Sequence, residues 1–346
     1  MKTLKDFDFR GKKVLVRCDF NVPLDEKGNI LDDFRIRQTI PTIEYLIKKG
    51  AKIILISHLG RPGGKVVENL RLTPVQEKLM EYLDVSITKA QDCIGPEIEK
   101  WIAEMQPGEI LLLENVQFNP GEKKNDLSFA KTLASYADIF IMEAFGQAHR
   151  NYASITGIPK YLPSGIGFLV EKEIEALTEL RESPEKPLIS IIGGAKVETK
   201  VKFIDKISEI SEWVLIGNLI QKEIKDKNIQ LKNPQKVIGP VDDIEGKDIG
   251  PKTINLFKEK IALAKTIFWS GPLGKIEEKQ FQRGSEEIAQ TIIESGASSV
   301  VGGGETVEFI NKFGLTEKFN HLSTGGGAML DFISDGTLVG IEAISR

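Results

Sequence analysis

Residues 188–200 read Leu-Ile-Ser-Ile-Ile-Gly-Gly-Ala-Lys-Val-Glu-Thr-Lys. Leu188 to Ile192 form a short, mostly apolar run with the length of a buried strand. Gly193-Gly194 breaks that run, and a helical pattern follows. Ala195, Lys196 and Lys200 open the helix, and the two lysines, four apart, share one face. A glycine turn lets the backbone come close to a ligand, and the unpaired N–H groups of a helix start favour an anion. Two lysines add full positive charge. The stretch reads as a site for phosphate groups.

Working outward, short apolar runs alternate with longer segments of helical period, the pattern of a parallel α/β sheet. In the first half the expected strands are Lys13 to Cys18, Ile53 to Ser57, Ile110 to Leu113 and Ile139 to Met142. Between the first two, Ile40, Ile43, Leu46 and Ile47 make a helical stripe, with Pro41 placed near the helix start and Gly50 as the stop. In the second half the expected strands are Leu188 to Ile192, Trp213 to Ile216, Thr266 to Trp269 and Ser299 to Val301. A last apolar run, Leu338 to Ile344, closes the chain. The seam is expected near Leu162-Pro163-Ser164-Gly165. Leu169, Val170, Ile174, Leu177 and Leu180 then form a connecting helix that Ser183 to Pro187 ends.

The totals limit the function. A chain of 346 residues exceeds one ordinary hydrophobic core, so two domains are expected. A formal charge of -4 argues against a nucleic-acid binder. Cys18 and Cys93 give neither a disulfide framework nor metal-ligand spacing. The start lacks the apolar core of a signal peptide, and no run of about 18 apolar residues could span a bilayer. A cytoplasmic protein with no membrane partner is expected.

The chemistry-bearing residues follow strands, where open α/β sheets bind ligands. In the first half these are Asp19-Phe20-Asn21-Val22-Pro23, Ser57-His58-Leu59-Gly60-Arg61-Pro62 and Ala148-His149-Arg150, with Arg35 at a helix start. Guanidinium forks match carboxylate and phosphate, so this cluster suits a small phosphorylated acid. Taken singly, each of these loop residues is better explained as structural, His58 or His149 as a strand-end cap; recurrence at three strand ends shifts the balance to function. In the second half, Gly193-Gly194, Gly302-Gly303-Gly304 and Gly325-Gly326-Gly327 follow strands. One such pair would be a tight turn, whereas three suggest a polyphosphate cradle. Neither the Walker pattern nor the dinucleotide fingerprint occurs. Glu305 is placed to meet Mg²⁺ through phosphate oxygens and water.

Five motifs carry a resemblance: Val16-Arg17-Cys18-Asp19-Phe20-Asn21-Val22-Pro23, Ser57 to Pro62, Gly193-Gly194-Ala195-Lys196-Val197, Asp248-Ile249-Gly250-Pro251-Lys252-Thr253 and Ser323-Thr324-Gly325-Gly326-Gly327-Ala328. In this order, running nearly end to end, they resemble the phosphoglycerate kinase family. The resemblance implies two Rossmann-like three-layer α/β/α lobes with mostly parallel sheets, joined by an interdomain helix and hinge. It divides the chain into a phosphoglycerate-binding domain (1–166), the helix (167–184), a nucleotide-binding domain (185–330) and a tail (331–346) that packs back on the first domain. It implies a glycolytic, monomeric enzyme that interconverts 1,3-bisphosphoglycerate and Mg-ADP with 3-phosphoglycerate and Mg-ATP.

By motif, Asp19, Asn21, Arg35, His58, Arg61 and Arg150 would hold the phosphoglycerate. Arg35 would also face the migrating phosphoryl group, with Lys200 and the backbone of Gly325 and Gly326 stabilising its charge. Gly193, Gly194, Lys196, Pro272, Glu277, Glu305 and Thr306 would line the nucleotide site. Phosphoryl transfer needs positioning and charge neutralisation more than covalent help, so these groups suffice.

Several positions depart from the family pattern. Gln117 stands where an arginine is expected, Met142-Glu143 where Asn-Asp is, Ser270 where asparagine is, and Glu305 where aspartate is. The segment 217–248 is short. A weakly active or non-catalytic paralogue that binds nucleotide or a protein partner is therefore the alternative. Arg35, Lys196, Lys200 and the Thr-Gly-Gly-Gly helix start are intact, which favours the enzyme.

Overall fold

A computed structural model describes residues 1–194 and 197–345, except for the side chains of residues 197–199. Lys196, one of the two lysines expected at the phosphate site, lies outside the described residues. Compactness divides the chain into two units, the first Met1–Ile174 with the chain from Thr337 on, the second Glu175–Gly336.

In the first unit, β1 (Lys13–Cys18), β2 (Lys52–Ile56), β3 (Ile87–Lys89), β4 (Ile110–Leu112), β5 (Ile139–Glu143) and β6 (Ser164–Ile166) form one sheet. Its order is β3-β4-β2-β1-β5-β6, and every neighbouring pair is parallel. Two-residue alternation sends Val14, Val16, Cys18, Ile53, Leu55, Ile139 and Ile141 into one core cluster. Helices α1 (Phe34–Lys48) and α2 (Thr73–Leu83) supply Ile36, Ile43, Leu46, Val75 and Leu79 to it. The unit also contains α3 (Pro96–Glu104), α4 (Pro120–Lys123) and α5 (Leu127–Ala134). Pro41 sits inside α1 rather than near its start, because the helix begins a full two turns earlier with buried Phe34 and Ile36. That burial outweighs the local cost of proline. The short strands β3 and β6 carry no continuous apolar run, which is why periodicity does not reveal them.

The connecting helix α6 (Phe168–Glu182) buries Leu169, Val170, Leu177 and Leu180, and the division between units falls within it. In the second unit, β7 (Leu188–Ile192), β8 (Trp213–Ile216) and β9 (Val237–Ile238) are followed by an antiparallel pair, β10 (Asp243–Ile244) and β11 (Asp248–Ile249). Strands β12 (Thr266–Ser270), β13 (Ser298–Gly302) and β14 (His321–Leu322) complete a parallel sheet of order β14-β13-β12-β7-β8-β9. Its helices are α7 (Val197–Ile210), α8 (Asn218–Asp226), α9 (Pro251–Ile261), α10 (Arg283–Ser295), α11 (Gly304–Lys312) and α12 (Gly326–Asp335). The closing apolar run becomes α13 (Val339–Ile344), which belongs to the first unit; there Gly340 N–H donates to Ala148 O at 2.8 Å. Among the described residues no helix is long and apolar enough to cross a membrane.

Candidate active site

Parallel pairing puts the C-terminal ends of β4, β2, β1 and β5 side by side, so the loops that follow them share one edge of the first sheet. Asp19 follows β1 and is buried. Burial alone would raise its pKa, but Arg35, His58 and Arg17 hold it below the usual carboxylate range. Arg35 Nη1 donates to Asn21 O at 2.7 Å and lies 3.8 Å from Asp19 Oδ2. Asn21 Oδ1 accepts Gly60 N–H at 2.7 Å, which ties the loop after β1 to the loop after β2. Ser57 Oγ reinforces that tie, accepting Phe20 N–H at 2.8 Å and donating to Cys18 O at 2.9 Å.

His58 is buried, and desolvation, opposed by Asp19, brings its pKa down to about 3. It is a neutral ring. Arg61, in the same loop, and Arg150, beyond β5, are exposed, and their guanidinium groups have no ion-pair partner among the described residues. The structure thus joins Asp19, Asn21, Arg35 and His58 through direct contacts, with Arg61 and Arg150 on neighbouring loops. Buried, uncharged Gln117 follows β4, and its Oε1 has no hydrogen-bond partner. Its backbone carbonyl accepts Gly64 N–H at 3.2 Å, so it adjoins the loop that carries Arg61. Sequence reasoning left Arg17 without a role; the signal was a cation inside the apolar run Val14 to Cys18.

In the second unit the glycine clusters converge. Gly193 N–H donates to Ser270 O at 2.9 Å and Gly194 N–H to Pro272 O at 2.7 Å, locking the turn after β7 to the turn after β12. A Cβ on Gly193 would overlap Pro272 O, and one on Gly271, at φ +92°, would overlap Gly193 O. Only glycine fits there. A Cβ on Gly326 would stand 3.3 Å from Gly303 Cα, so the second and third clusters also meet. Thr306, buried in α11, accepts Gly271 N–H through Oγ1 at 2.9 Å. Lys200, buried in the first turn of α7, donates through Nζ to Gly193 O.

The turns that precede α7, α11 and α12 therefore meet in one backbone cluster of glycines. Pro272 is buried in it, while Glu305 is exposed in the first turn of α11. Glu277 is exposed in the loop after β12, and among the described residues its side chain makes no hydrogen bond with the glycine cluster. Sequence reasoning gave Gly271 no role; its positive φ gives it a structural part of its own.

The family model described as phosphoglycerate kinase matches residues 4–229 and 218–336. The chain belongs to the phosphoglycerate kinase family. It is 40% identical to the phosphoglycerate kinase of Pelotomaculum thermopropionicum, over 99% of this chain and 98% of that protein. With the Dictyoglomus turgidum enzyme it shares 42% identity, over 99% and 97%. A crystal structure of phosphoglycerate kinase from Pyrococcus horikoshii OT3 matches with a TM-score of 0.90 at 31% identity, covering 100% of this chain and 98% of that one. A solved structure of phosphoglycerate kinase from Coxiella burnetii matches with a TM-score of 0.81 at 31% identity, over 99% and 98%. Members of the phosphoglycerate kinase family are phosphotransferases with a carboxyl group as acceptor, and the two-lobed α/β architecture expected from sequence is the family's. The two family-model matches meet at 218–229, inside the segment read as short.

Proposed function

We propose that the chain catalyses reversible transfer of a phosphoryl group between 1,3-bisphosphoglycerate with ADP and 3-phosphoglycerate with ATP. The phosphoglycerate occupies the first lobe (1–166), held by Asn21, His58, Arg61 and Arg150, with Asp19 orienting Arg35 from behind. The carrying observation is the convergence of three glycine turns and the buried Lys200 in one cluster, at three helix starts where an anion is favoured. The nucleotide phosphates lie against Gly193, Gly194, Lys196, Pro272 and Thr306. Glu277 faces the nucleotide from its loop.

Mg²⁺ enters as part of the nucleotide substrate. Among the described residues no group of three or more His, Cys, Asp or Glu side chains could hold a metal alone. The exposed carboxylate of Glu305, beside Gly303 and Gly304, suits an ion that is carried mainly by phosphate oxygens. That ion would neutralise phosphate charge.

Arg35 and Lys200 complete the charge stabilisation, Lys200 by exchanging Gly193 O for a phosphoryl oxygen, with the amides of Gly325 and Gly326 as further donors. Chemistry requires the acceptor carboxylate and the terminal phosphate to meet in line, so turnover depends on closure of the two lobes with water excluded. The protein acts as a cytoplasmic monomer of glycolysis.

The test is direct. Purified protein with 3-phosphoglycerate, ATP and Mg²⁺ should release ADP at a rate that saturates in both substrates. No turnover above background, with nucleotide still bound, would instead support the non-catalytic paralogue.

A further inference from the structure

Arg17 lies in β1 with no exposed surface, beneath the loops that carry Asp19 and His58. Its guanidinium is fixed on two sides. Nε donates to Ser154 Oγ at 2.8 Å, and Nη1 donates to Cys18 O. Ser154 is itself fixed, because its Oγ and backbone N–H donate to the two carboxyl oxygens of buried Glu122, at 2.6 and 2.9 Å. With its plane held, Arg17 has one direction left for Nη2, which lies 3.5 Å from His58 Nδ1.

A guanidinium offers only donors. A proton on His58 Nδ1 would set two donors head to head between two buried side chains. The competing acceptor, Asp19 Oδ1, is 3.8 Å from the same nitrogen, beyond hydrogen-bond reach. Asp19 favours a charged ring, while burial, Arg17, Arg35 and Lys123 oppose it. The lone pair therefore belongs on Nδ1 and the proton on Nε2.

We propose that Arg17, braced by Ser154 and Glu122, is a positioning residue that fixes His58 as the neutral Nε2–H tautomer, a donor to an anionic oxygen of the substrate. This deepens the reading of the first lobe as the phosphoglycerate site and rests on it. In this arrangement the positive charge at the site comes from the arginines, and His58 contributes direction. The buried Glu122–Ser154–Arg17 chain transmits no charge to the ligand; it holds one ring nitrogen as an acceptor.

Long-range ¹H–¹⁵N correlation on the full-length, ¹⁵N-labelled protein tests this. The chain has three histidines, so His58 is assigned by the signals lost in His58→Gln. The expected result is an Nε2–H tautomer from pH 8 to pH 5, with no imidazolium signature. Ser154→Ala, which leaves Arg17 Nε without its acceptor, should mix the tautomers and raise KM for 3-phosphoglycerate several-fold, with kcat within about twofold. Arg17→Lys should do the same where it folds. An Nδ1–H tautomer, an imidazolium at pH 7, or His58 signals unchanged in folded Ser154→Ala overturns the role of Arg17. Adding 3-phosphoglycerate should shift the Nε2 signal. The stated tautomer with no such shift overturns the assignment of the pocket to that substrate, so the two failures are told apart.

Discussion

Asn21 Oδ1 accepts the backbone N–H of Gly60 at 2.7 Å, and this bond joins the loops after two adjacent parallel strands. Asn21 also presents its backbone carbonyl to Arg35. One residue therefore sets the spacing between the His58 loop and the arginine at the start of α1. Asn21→Ala leaves Gly60 N–H without its partner, a loss of about 1–3 kcal/mol. KM for 3-phosphoglycerate should rise about tenfold or more while KM for ATP stays within twofold. Equal effects on both substrates would show that Asn21 supports the fold and not this site.

Gln117 is buried with an unpaired Oε1 and adjoins the loop carrying Arg61. A guanidinium there would add a charged donor fork. Gln117→Arg should lower KM for 3-phosphoglycerate by about one decade, the equivalent of a charge-assisted hydrogen bond of about 1.5 kcal/mol. An unchanged or higher KM would mean that another cation already fills that place.

At the glycine cluster, Gly193→Ala puts a methyl group into the backbone carbonyl oxygens of Pro272 and Gly271, and no side-chain rotation relieves it. The expected cost is about 3 kcal/mol or more, read as a lower urea midpoint, with loss of nucleotide binding. Lys200→Met keeps the size of the buried side chain and removes its charge. It should lower kcat by about two orders of magnitude with little change in stability. Retained kcat in Lys200→Met would exclude this lysine from the transition state.

Glu143, at the end of β5, is fully buried. It accepts the N–H groups of Leu169 and Val170 at 3.0 and 3.5 Å and the hydroxyl of Thr42 at 2.5 Å. Burial outweighs those donors and raises its pKa to about 7. The folded protein thus holds a proton that the unfolded chain releases near pH 4.5, so this group's contribution is present below pH 4.5 and lost as pH rises through about 7. Depression of the His58 pKa to about 3 acts oppositely, adding stability as pH rises towards 6.5. The two effects offset each other in the wild type, and the difference between wild type and Glu143→Gln isolates the first. Relative to wild type, the variant should gain about 3 kcal/mol of urea-unfolding stability between pH 4.5 and pH 8. A pH-independent difference would mean that Glu143 is ionised in the fold.

Much of the architecture is legible from short apolar runs. Lys13–Cys18, Leu188–Ile192 and Trp213–Ile216 are strands with the bounds their sequence suggests, because strands buried on both faces need continuous apolar side chains. The strands Ile87–Lys89, Ser164–Ile166 and His321–Leu322 are too short for a periodic signal, and their pairing comes from the sheet they join. The extra turns at the start of α1 are likewise set by what Phe34 and Ile36 pack against.

By itself the sequence determined the alternation of strand and helix, the loops that carry chemistry and, through motif order, the family. Those features depend on residue type and spacing along the chain. Only the tertiary structure decided that Gly193, Gly271, Gly303 and Gly326 crowd together, that Asn21 grips Gly60, and that Arg17 faces a ring nitrogen of His58. Such relations join residues far apart in sequence, and they exist because parallel pairing brings distant strand ends to one edge and burial leaves each polar atom few partners to choose from.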